Sequence, residues 1–183
     1  MSTLQVGYAA MLEQFHPTEV VELCAAAEQA GFSGVMAADH FQPWVPQQGD
    51  AAFVWSVLAA VGERTSGDMG PGVTCPSFRF HPAIVAQAAA TLEAMYPGRS
   101  WLGVGSGEAL NEHVIAGYWP EGGERSLRMF EAVELIKKGF DASKLPDGCA
   151  MFGGTFAAKG GIRPADRFEY ELEDPVLKRV IRH

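Results

Sequence analysis

Apolar and polar residues alternate along the first 140 residues in a way that predicts strands followed by helices. Four short apolar runs, at residues 4–9, 35–38, 72–75 and 101–104, are typical of buried strands. Between these runs, apolar residues recur at helical spacings of three, four and seven. Pro17, Asp50 and Pro82 stand where helices are predicted to begin, and a last amphipathic helix is predicted over residues 124–140.

The spacing of these elements predicts a fold class. The predicted strands begin 31, 37 and 29 residues apart, as parallel strands joined by crossover helices do. Four such βα units are half of a (βα)₈ TIM barrel, which needs about 250 residues when complete. We therefore predict an α/β half-barrel domain over residues 1–140. Residues 141–183 lack the alternation and are predicted to form an irregular tail, with a strand at 167–172 and a helical turn after Pro175.

Composition and charge exclude several classes of protein. A chain with 48% hydrophobic and 20% charged residues is not typical of disorder. The net charge is −8, and no Lys or Arg precedes Arg64, so we expect no nucleic-acid partner. No apolar stretch approaches the roughly 20 residues of a membrane span, and the N-terminus lacks the basic region of a secretory signal. Three cysteines without a CxxC motif are expected to be reduced, so a cytoplasmic location is predicted.

An open half barrel would leave two edge strands and an apolar face uncovered. Such a molecule should associate with a second copy, cover itself with its tail, or aggregate. A homo-oligomer is the partner arrangement that we predict.

Polar residues that could take part in catalysis or binding follow the predicted strands. Because the carboxyl ends of parallel strands share one rim, Glu13, Asp39, His40, Trp44, Glu108 and Asn111 should lie near each other. Imidazole groups titrate near neutral pH, so His40 suits proton removal from a hydroxyl, and Glu108 offers a complementary acid. The plainer alternatives are a hydrogen-bonded loop histidine, a helix-capping Glu108, a helix-start Asn111 and a solvated Glu13.

Motif searches narrow the chemistry further. Residues 103–108 read GVGSGE, which departs from the dinucleotide template GxGxxG and favours a tight turn that a flat ring or phosphate can approach. The chain has no HExxH, CxxC, P-loop or GxSxG motif, so zinc hydrolysis, thioredoxin chemistry, Walker-type nucleotide hydrolysis and serine hydrolysis lack support. No metal ligands are predicted, and redox chemistry suits the remaining residues better.

Six segments carry a more specific signal. They read GY and EQF at 7–8 and 13–15, DHFQPW at 39–44, FRFHPAIVAQ at 78–87, YPGR at 96–99 and GVGSGEALNE at 103–112. In this order and spacing, the chain from about residue 4 to residue 140 resembles the F420-dependent glucose-6-phosphate dehydrogenase group of the bacterial luciferase-like superfamily.

This resemblance implies a (βα)₈ barrel that binds the deazaflavin coenzyme F420 and transfers hydride between it and an alcohol or sugar carbon. It implies that His40 is the base and Glu108 the acid, with Glu13 and Trp44 near the substrate. The residues implied to bind the cofactor are Asp39, Gly72, Val73, Cys75, Gly107 and Asn111. A non-proline cis peptide bond is implied near Gly72 and Val73.

The chain also departs from the group. The group commonly has Ser and Thr where this chain has Gly72 and Cys75, and no resemblance is apparent after Phe140. Strands five to eight would supply the sugar-phosphate ligands, so glucose 6-phosphate is not expected as the substrate. Three alternatives stay open: a non-catalytic remnant that binds deazaflavin or flavin or mediates dimerisation, an FMN-dependent monooxygenase of the same superfamily, and a structural interaction protein that binds no ligand.

Overall fold

The computed structural model describes residues 5–139, 150–151, 171–174 and 179–182. In chain order, its elements are β1 (Tyr8–Ala10), α1 (Pro17–Gln29), β2 (Gly34–Ala37), α2 (Val54–Gly62), β3 (Asp68–Pro71), α3 (Pro82–Met95), β4 (Gly103–Val104), α4 (Ala109–Ala116), α5 (Gly122–Gly139), β5 (Ala150–Met151), β6 (Glu171–Asp174) and β7 (Arg179–Arg182). Strands and helices thus alternate over the first part of the chain, as the apolar pattern predicted.

The first strands form a parallel sheet in sequence order. β2 lies between β1 and β3, and parallel bridges at Met69–Ser100 and Thr74–Val104 place β4 beside β3. β5 then pairs in parallel with β4. Parallel strands in sequence order, with helices between them, are the start of a βα barrel, in agreement with the predicted α/β half-barrel class.

Local sequence explains where the helices begin. α1 and α3 start at Pro17 and Pro82, whose fixed φ and missing N–H suit the first helical turn. His16 and His81 precede these prolines and accept hydrogen bonds from the backbone N–H groups two residues on, at 3.4 and 3.2 Å. The expected cap at Asp50 is wrong. α2 begins at Val54, and the Asp50 N–H donates instead to the Glu13 carbonyl, at 3.2 Å.

One apolar core lies between the helices and the sheet. Its buried members include Val20, Leu58, Met69, Val85 and Val133, one from each of α1, α2, β3, α3 and α5. Each of these side chains contributes about 1.5–3 kcal/mol by leaving water. The core therefore fixes the helices against one face of the sheet and leaves the carboxyl ends of the strands to form the rim.

The third strand lies four residues earlier than predicted, over Asp68–Pro71 rather than residues 72–75. The apolar pattern does not indicate this strand because it contains Asp, Gly and Pro, none of which favours strands. Gly70 is needed there, since a Cβ atom at this position would overlap the backbone of Trp101 in the neighbouring segment. Residues 72–75 follow the strand and line the rim instead.

β5 and β7 were not expected from the sequence, and β5 lies beyond residue 140, in the part predicted to be an irregular tail. α4 has a weak apolar pattern and follows its N-cap Glu108 directly. β6 overlaps the predicted strand 167–172, and β7 pairs with it in antiparallel fashion. Residues 167–170 of the predicted strand and residues 175–178, where the helical turn was predicted, lie outside the described residues. None of the helices in the described ranges is both long and apolar enough to cross a membrane.

Candidate active site

The loops that follow β2, β3 and β4 enclose a cleft of about 190 Å³ at the carboxyl ends of the strands. It is lined by Ala38, Asp39, His40, Gly72, Val73, Cys75, Gly105, Ser106, Gly107, Glu108 and Glu112. Active sites of parallel sheets lie at the carboxyl ends of the strands because the loops and their backbone N–H groups converge there. Seven of the ten residues predicted to form the site therefore line one cleft: Asp39, His40, Gly72, Val73, Cys75, Gly107 and Glu108.

His40 is held by two neighbours at one ring nitrogen. The carboxylate of Glu13, which is 2% exposed, contacts Nδ1 of His40. The indole Nε1 of Trp44 lies 3.1 Å from the same nitrogen, and the two rings meet edge to face with centroids 5.1 Å apart. Glu13 and Trp44, the other two predicted catalytic residues, thus reach the cleft through His40.

The two contacts at Nδ1 of His40 require different tautomers. Nδ1 carries the proton where it donates to the carboxylate of Glu13, whereas it must be unprotonated to accept from the indole N–H of Trp44. In the tautomer that donates to Glu13, Nε2 is the unprotonated nitrogen, and no hydrogen bond engages it within the described residues. His40 is 21% exposed at the cleft, so Nε2 is able to accept a proton from a bound molecule.

Asp39 lies behind His40 in a fully buried position. Its carboxylate forms an ion pair with Arg79 and accepts a 2.6 Å hydrogen bond from the Thr74 hydroxyl. Arg79 also donates to the backbone oxygen of Asp39, at 3.0 Å. A buried ion pair requires such additional hydrogen bonds to offset its lost hydration. Asp39 therefore ties the ends of β2 and β3 together at the back of the cleft.

Glu108 and Asn111 connect the start of α4 to the loop after β2. Glu108 is the N-cap of α4 and accepts hydrogen bonds from the backbone N–H and the side-chain amide of Asn111. The amide oxygen of Asn111 accepts from the N–H groups of Phe41 and Gln42, at 2.7 and 2.8 Å. Asn111 is 1% exposed and is not one of the residues that line the cleft. Its amide holds the walls of the site together.

Two more titratable groups at the cleft are shifted by burial. Burial raises the pKa of the Glu112 carboxyl to about 7; the Arg79 guanidinium opposes this shift, while Glu108 and Asp39 add to it. Burial also raises the pKa of the Cys75 thiol, with further contributions from Glu112 and Asp39. Cys75 therefore stays a neutral thiol at physiological pH and lines the cleft without acting as a nucleophile.

The backbone has an unusual course at two of the predicted positions. The peptide bond between Gly72 and Val73 is cis, at the place that the resemblance implied. Gly107 has a φ of +80°, and a Cβ atom there would come within 2.7 Å of Cγ of Glu112. Residues 105–107 of the GVGSGE segment link β4 to the N-cap of α4, and their backbone borders the cleft; this link is called the Gly107 turn below.

Sequence reasoning missed three residues of this site: Thr74, Arg79 and Glu112. Arg79 stands in the FRFHP segment and Glu112 in GSGEALNE, so both were within segments already singled out. The available signal for Glu112 was its spacing of four from Glu108, which places both residues on one face of a helix. No grouping of His, Cys, Asp and Glu suited to a metal ion occurs in the described ranges.

Comparisons with known proteins agree with this geometry. The family model for luciferase-like monooxygenase matches residues 2–168, which extends past the predicted domain boundary at residue 140. An F420-dependent glucose-6-phosphate dehydrogenase from Tsukamurella paurometabola is 50% identical over 141 residues, which are 75% of this chain and 42% of that protein. The Mycobacterium avium protein of the same name is 42% identical over 193 residues, covering 92% of this chain and 57% of the relative. The expectation that similarity ends at residue 140 is therefore wrong, whereas the division into 1–140 and 141–183 stays a prediction.

Among solved structures, an F420-dependent secondary alcohol dehydrogenase in complex with an F420-acetone adduct superposes with a TM-score of 0.73 and 40% sequence identity. The match covers 76% of this chain and 43% of that one. The chain thus spans about two fifths of the length of that enzyme and of the Tsukamurella paurometabola relative. With a family match over residues 2–168, most of its length, the chain belongs to the luciferase-like monooxygenase family.

Proposed function

We propose that this chain carries the F420 site and the proton-transfer residues of an oxidoreductase that moves hydride between an alcohol or sugar carbon and F420. The observation that carries the proposal is the contact of Glu13 with Nδ1 of His40 at the cleft. The named F420-dependent relatives support the choice of cofactor. FMN is the alternative cofactor, because the family includes monooxygenases by name.

The cleft fits a flat ring. Gly72, Gly105 and Gly107 present backbone instead of side chains along its walls, and Val73 adds an apolar surface. Backbone without Cβ atoms lets a planar group approach closely. We assign Gly72, Val73, Cys75 and Gly107 to direct contact with the deazaflavin. Asp39 and Asn111, both at least 98% buried, would hold it indirectly by fixing the loops.

His40 would act as the base in this scheme. F420, when bound, supplies the acceptor for the hydride that leaves the alcohol carbon. Oxidation of the alcohol also releases the hydroxyl proton, which Nε2 of His40 accepts as the carbonyl forms. The buried carboxylate of Glu13 then stabilises the imidazolium, and Trp44 restricts the orientation of the ring.

Glu108 would act on the cofactor side of the cleft. It is partly exposed there, and Asn111 fixes its carboxyl group with two hydrogen bonds. A carboxyl group held in place next to a ring is able to exchange a proton with it in the reduced state. His40 and Glu108, which come from different loops, thus divide the two proton transfers between them.

A fluorescence titration of the purified chain with F420, and with FMN in parallel, tests this proposal. We expect saturable F420 binding and weaker FMN binding, with F420 binding retained in His40→Ala. His113→Ala is the matched control, because His113 is exposed on α4. Tighter binding of FMN would indicate the monooxygenase alternative. A folded chain that binds neither cofactor would contradict the proposal.

The substrate class follows from the same site and needs a separate measurement. A hydroxyl-bearing carbon must reach Nε2 of His40, so simple secondary alcohols and sugars are the compounds to screen for F420 reduction. F420 binding without reduction by any alcohol or sugar would identify the chain as a cofactor-binding remnant.

Self-association belongs to this proposal as well. Leu127, Phe130 and Leu135 of α5 are each about half exposed, and β1 has a neighbouring strand on one side only among the described residues. Apolar side chains and open strand edges favour association with a second copy. Sedimentation of the purified chain should give twice the monomer mass, and a monomer at all concentrations would exclude this.

The state of the cysteines supports the proposed location. Cys24 and Cys75 are free thiols, as is usual in the reducing cytoplasm, which is the location that we propose.

A further inference from the structure

Glu112 is a buried carboxyl group that the proposed chemistry does not use. It is 1% exposed and follows Glu108 by one helical turn in α4. Its side chain lines the cleft beside that of Glu108, and its Oε2 atom is buried without a hydrogen-bond partner in the described part of the chain. An unpaired buried oxygen costs free energy, so such a group in a cleft is a candidate for a functional role.

The stem of Glu112 supports the turn that precedes α4. Gly107 has a φ of +80°, and its Cα lies so close to Glu112 that a Cβ atom would come within 2.7 Å of Cγ. Gly107 and Glu108 border the cleft directly. A displacement of the Glu112 side chain would therefore move the backbone that forms the cleft wall.

The charges around Glu112 do not balance if all of its neighbours are ionised. Asp39 faces it from the end of β2, Glu108 from the start of α4, and Arg79 from the segment before α3. The thiol of Cys75, after β3, is the remaining titratable group nearby. Arg79 is the only cation in this group and already forms an ion pair with Asp39. Glu112 thus shares with Glu108 the lack of a counter-ion of its own, and Glu112 is the more deeply buried of the two.

A proton on Glu112 resolves this imbalance. Burial raises its pKa to about 7, the Arg79 guanidinium opposes the shift, and Glu108 and Asp39 contribute to it. Above that pH, an ionised Glu112 would repel the carboxylate of Glu108 and compete with Asp39 for Arg79. Both effects would disturb groups that line the cleft or hold its back wall.

We propose that Glu112 is a positioning residue whose protonated form holds the Gly107 turn and Glu108 in place for cofactor binding. The inference rests on the proposed function, because it takes F420 as the occupant of the cleft. It predicts that one proton is taken up with F420 above neutral pH. Glu112 acts through its neighbours and does not itself touch the reacting atoms.

The test is the F420 dissociation constant of the full chain, measured by fluorescence from about pH 5.5 to about pH 8.5. For the wild type, we expect constant affinity in the acidic range and a loss of up to about tenfold per pH unit above pH 7, as coupling to one proton requires. Glu112→Gln keeps the shape and cannot ionise, so it should keep the acidic-range affinity throughout. Glu131→Gln, at an exposed position of α5, is the matched control and should follow the wild type.

The outcomes separate the inference from the proposed function. Superimposable pH profiles for the wild type and Glu112→Gln, with F420 bound by both, would overturn the role of Glu112 and leave the proposed function intact. A folded wild type that binds no F420 at any pH would overturn both.

A second measurement uses only the wild type, so it tests the inference even if the Glu112→Gln variant does not fold. Carboxyl NMR of wild-type protein labelled at its glutamate side chains should show one group that titrates near pH 7. Addition of F420 should move that midpoint upward, because the cofactor favours the protonated form. If all glutamate carboxyls titrate in the ordinary acidic range, the inference is overturned.

Discussion

The carboxylate of Glu13 contacts Nδ1 of His40, although the two residues are 27 positions apart in the chain. Glu13 lies in the turn after β1, and His40 follows β2, so the parallel pairing of these two strands brings them together. The contact holds the imidazole ring of His40, which lines the cleft.

Replacing the imidazole should remove turnover and leave cofactor binding intact. For His40→Ala, we expect alcohol-dependent F420 reduction to fall by about 10²–10⁴, the contribution typical of a general base. The dissociation constant for F420 should change little, because His40 lines only one side of the cleft. Stopped-flow absorbance of F420 measures the rate, with His113→Ala as the control. Turnover at the wild-type rate in His40→Ala would refute the assignment of the base.

Neutralising Glu13, the partner of His40, should lower turnover less than removing His40 does. Glu13→Gln keeps the size of the side chain but removes the negative charge that stabilises an imidazolium, so we expect kcat to fall by roughly tenfold to a hundredfold with KM little changed. Glu19→Gln, an exposed change in α1, serves for comparison. An unchanged kcat, or an effect confined to KM, would show that Glu13 does not assist proton removal.

Loss of the buried guanidinium should destabilise the fold. In Arg79→Ala, Asp39 stays buried without its counter-ion, which typically costs about 3–5 kcal/mol in the free energy of unfolding. Arg64→Ala removes an exposed pair with Glu22 and should cost less than about 1 kcal/mol. Urea unfolding of both variants gives the comparison. Equal losses would mean that the Asp39–Arg79 pair contributes no more than a surface contact.

The Gly107 turn should not tolerate a side chain. Gly98→Ala introduces a Cβ atom at a φ of +74° with nothing within 4 Å, so it should cost only the roughly 1–2 kcal/mol of a left-handed residue. Gly107→Ala at +80° adds the overlap with Glu112, and we expect about 1–3 kcal/mol beyond that. Thermal unfolding at one pH measures both variants. A smaller loss at Gly107 than at Gly98 would argue against tight packing of the turn on Glu112.

The raised pKa of Glu112 has a consequence for stability. An unfolded glutamate ionises near its ordinary value of 4.5, whereas the folded group keeps its proton until about pH 7. Relative to Glu112→Gln, the wild type should have its full stability below pH 4.5 and lose about 3 kcal/mol as the pH rises to 7. Urea unfolding across this range gives the difference between the two chains. A difference that is constant with pH would show that folding leaves the pKa of Glu112 at its ordinary value.

The amino-acid sequence by itself determined the local elements and the composition of the rim. Pro17 and Pro82 start helices because proline geometry is a property of a single residue. The alternation of strands and helices places the residues after each strand at one edge of the sheet, so His40 and Glu108 were both expected at the cleft. The DHFQPW and GSGEALNE segments indicated the luciferase-like family, and the family model confirms it.

Only the tertiary structure decided which of these groups are paired and which are buried. The Asn111 amide meets the Phe41 N–H across 70 positions, and Asp39 meets the Thr74 hydroxyl across 35. The third strand was misplaced for a related reason, since Gly70 belongs in it only because Trp101 packs against it. Likewise, the raised pKa of Glu112 results from burial, which the Arg79 guanidinium opposes, and a helical pattern reveals neither of these. Propensities act over a few residues, whereas burial and hydrogen-bond pairing are set by segments that meet only when the chain folds.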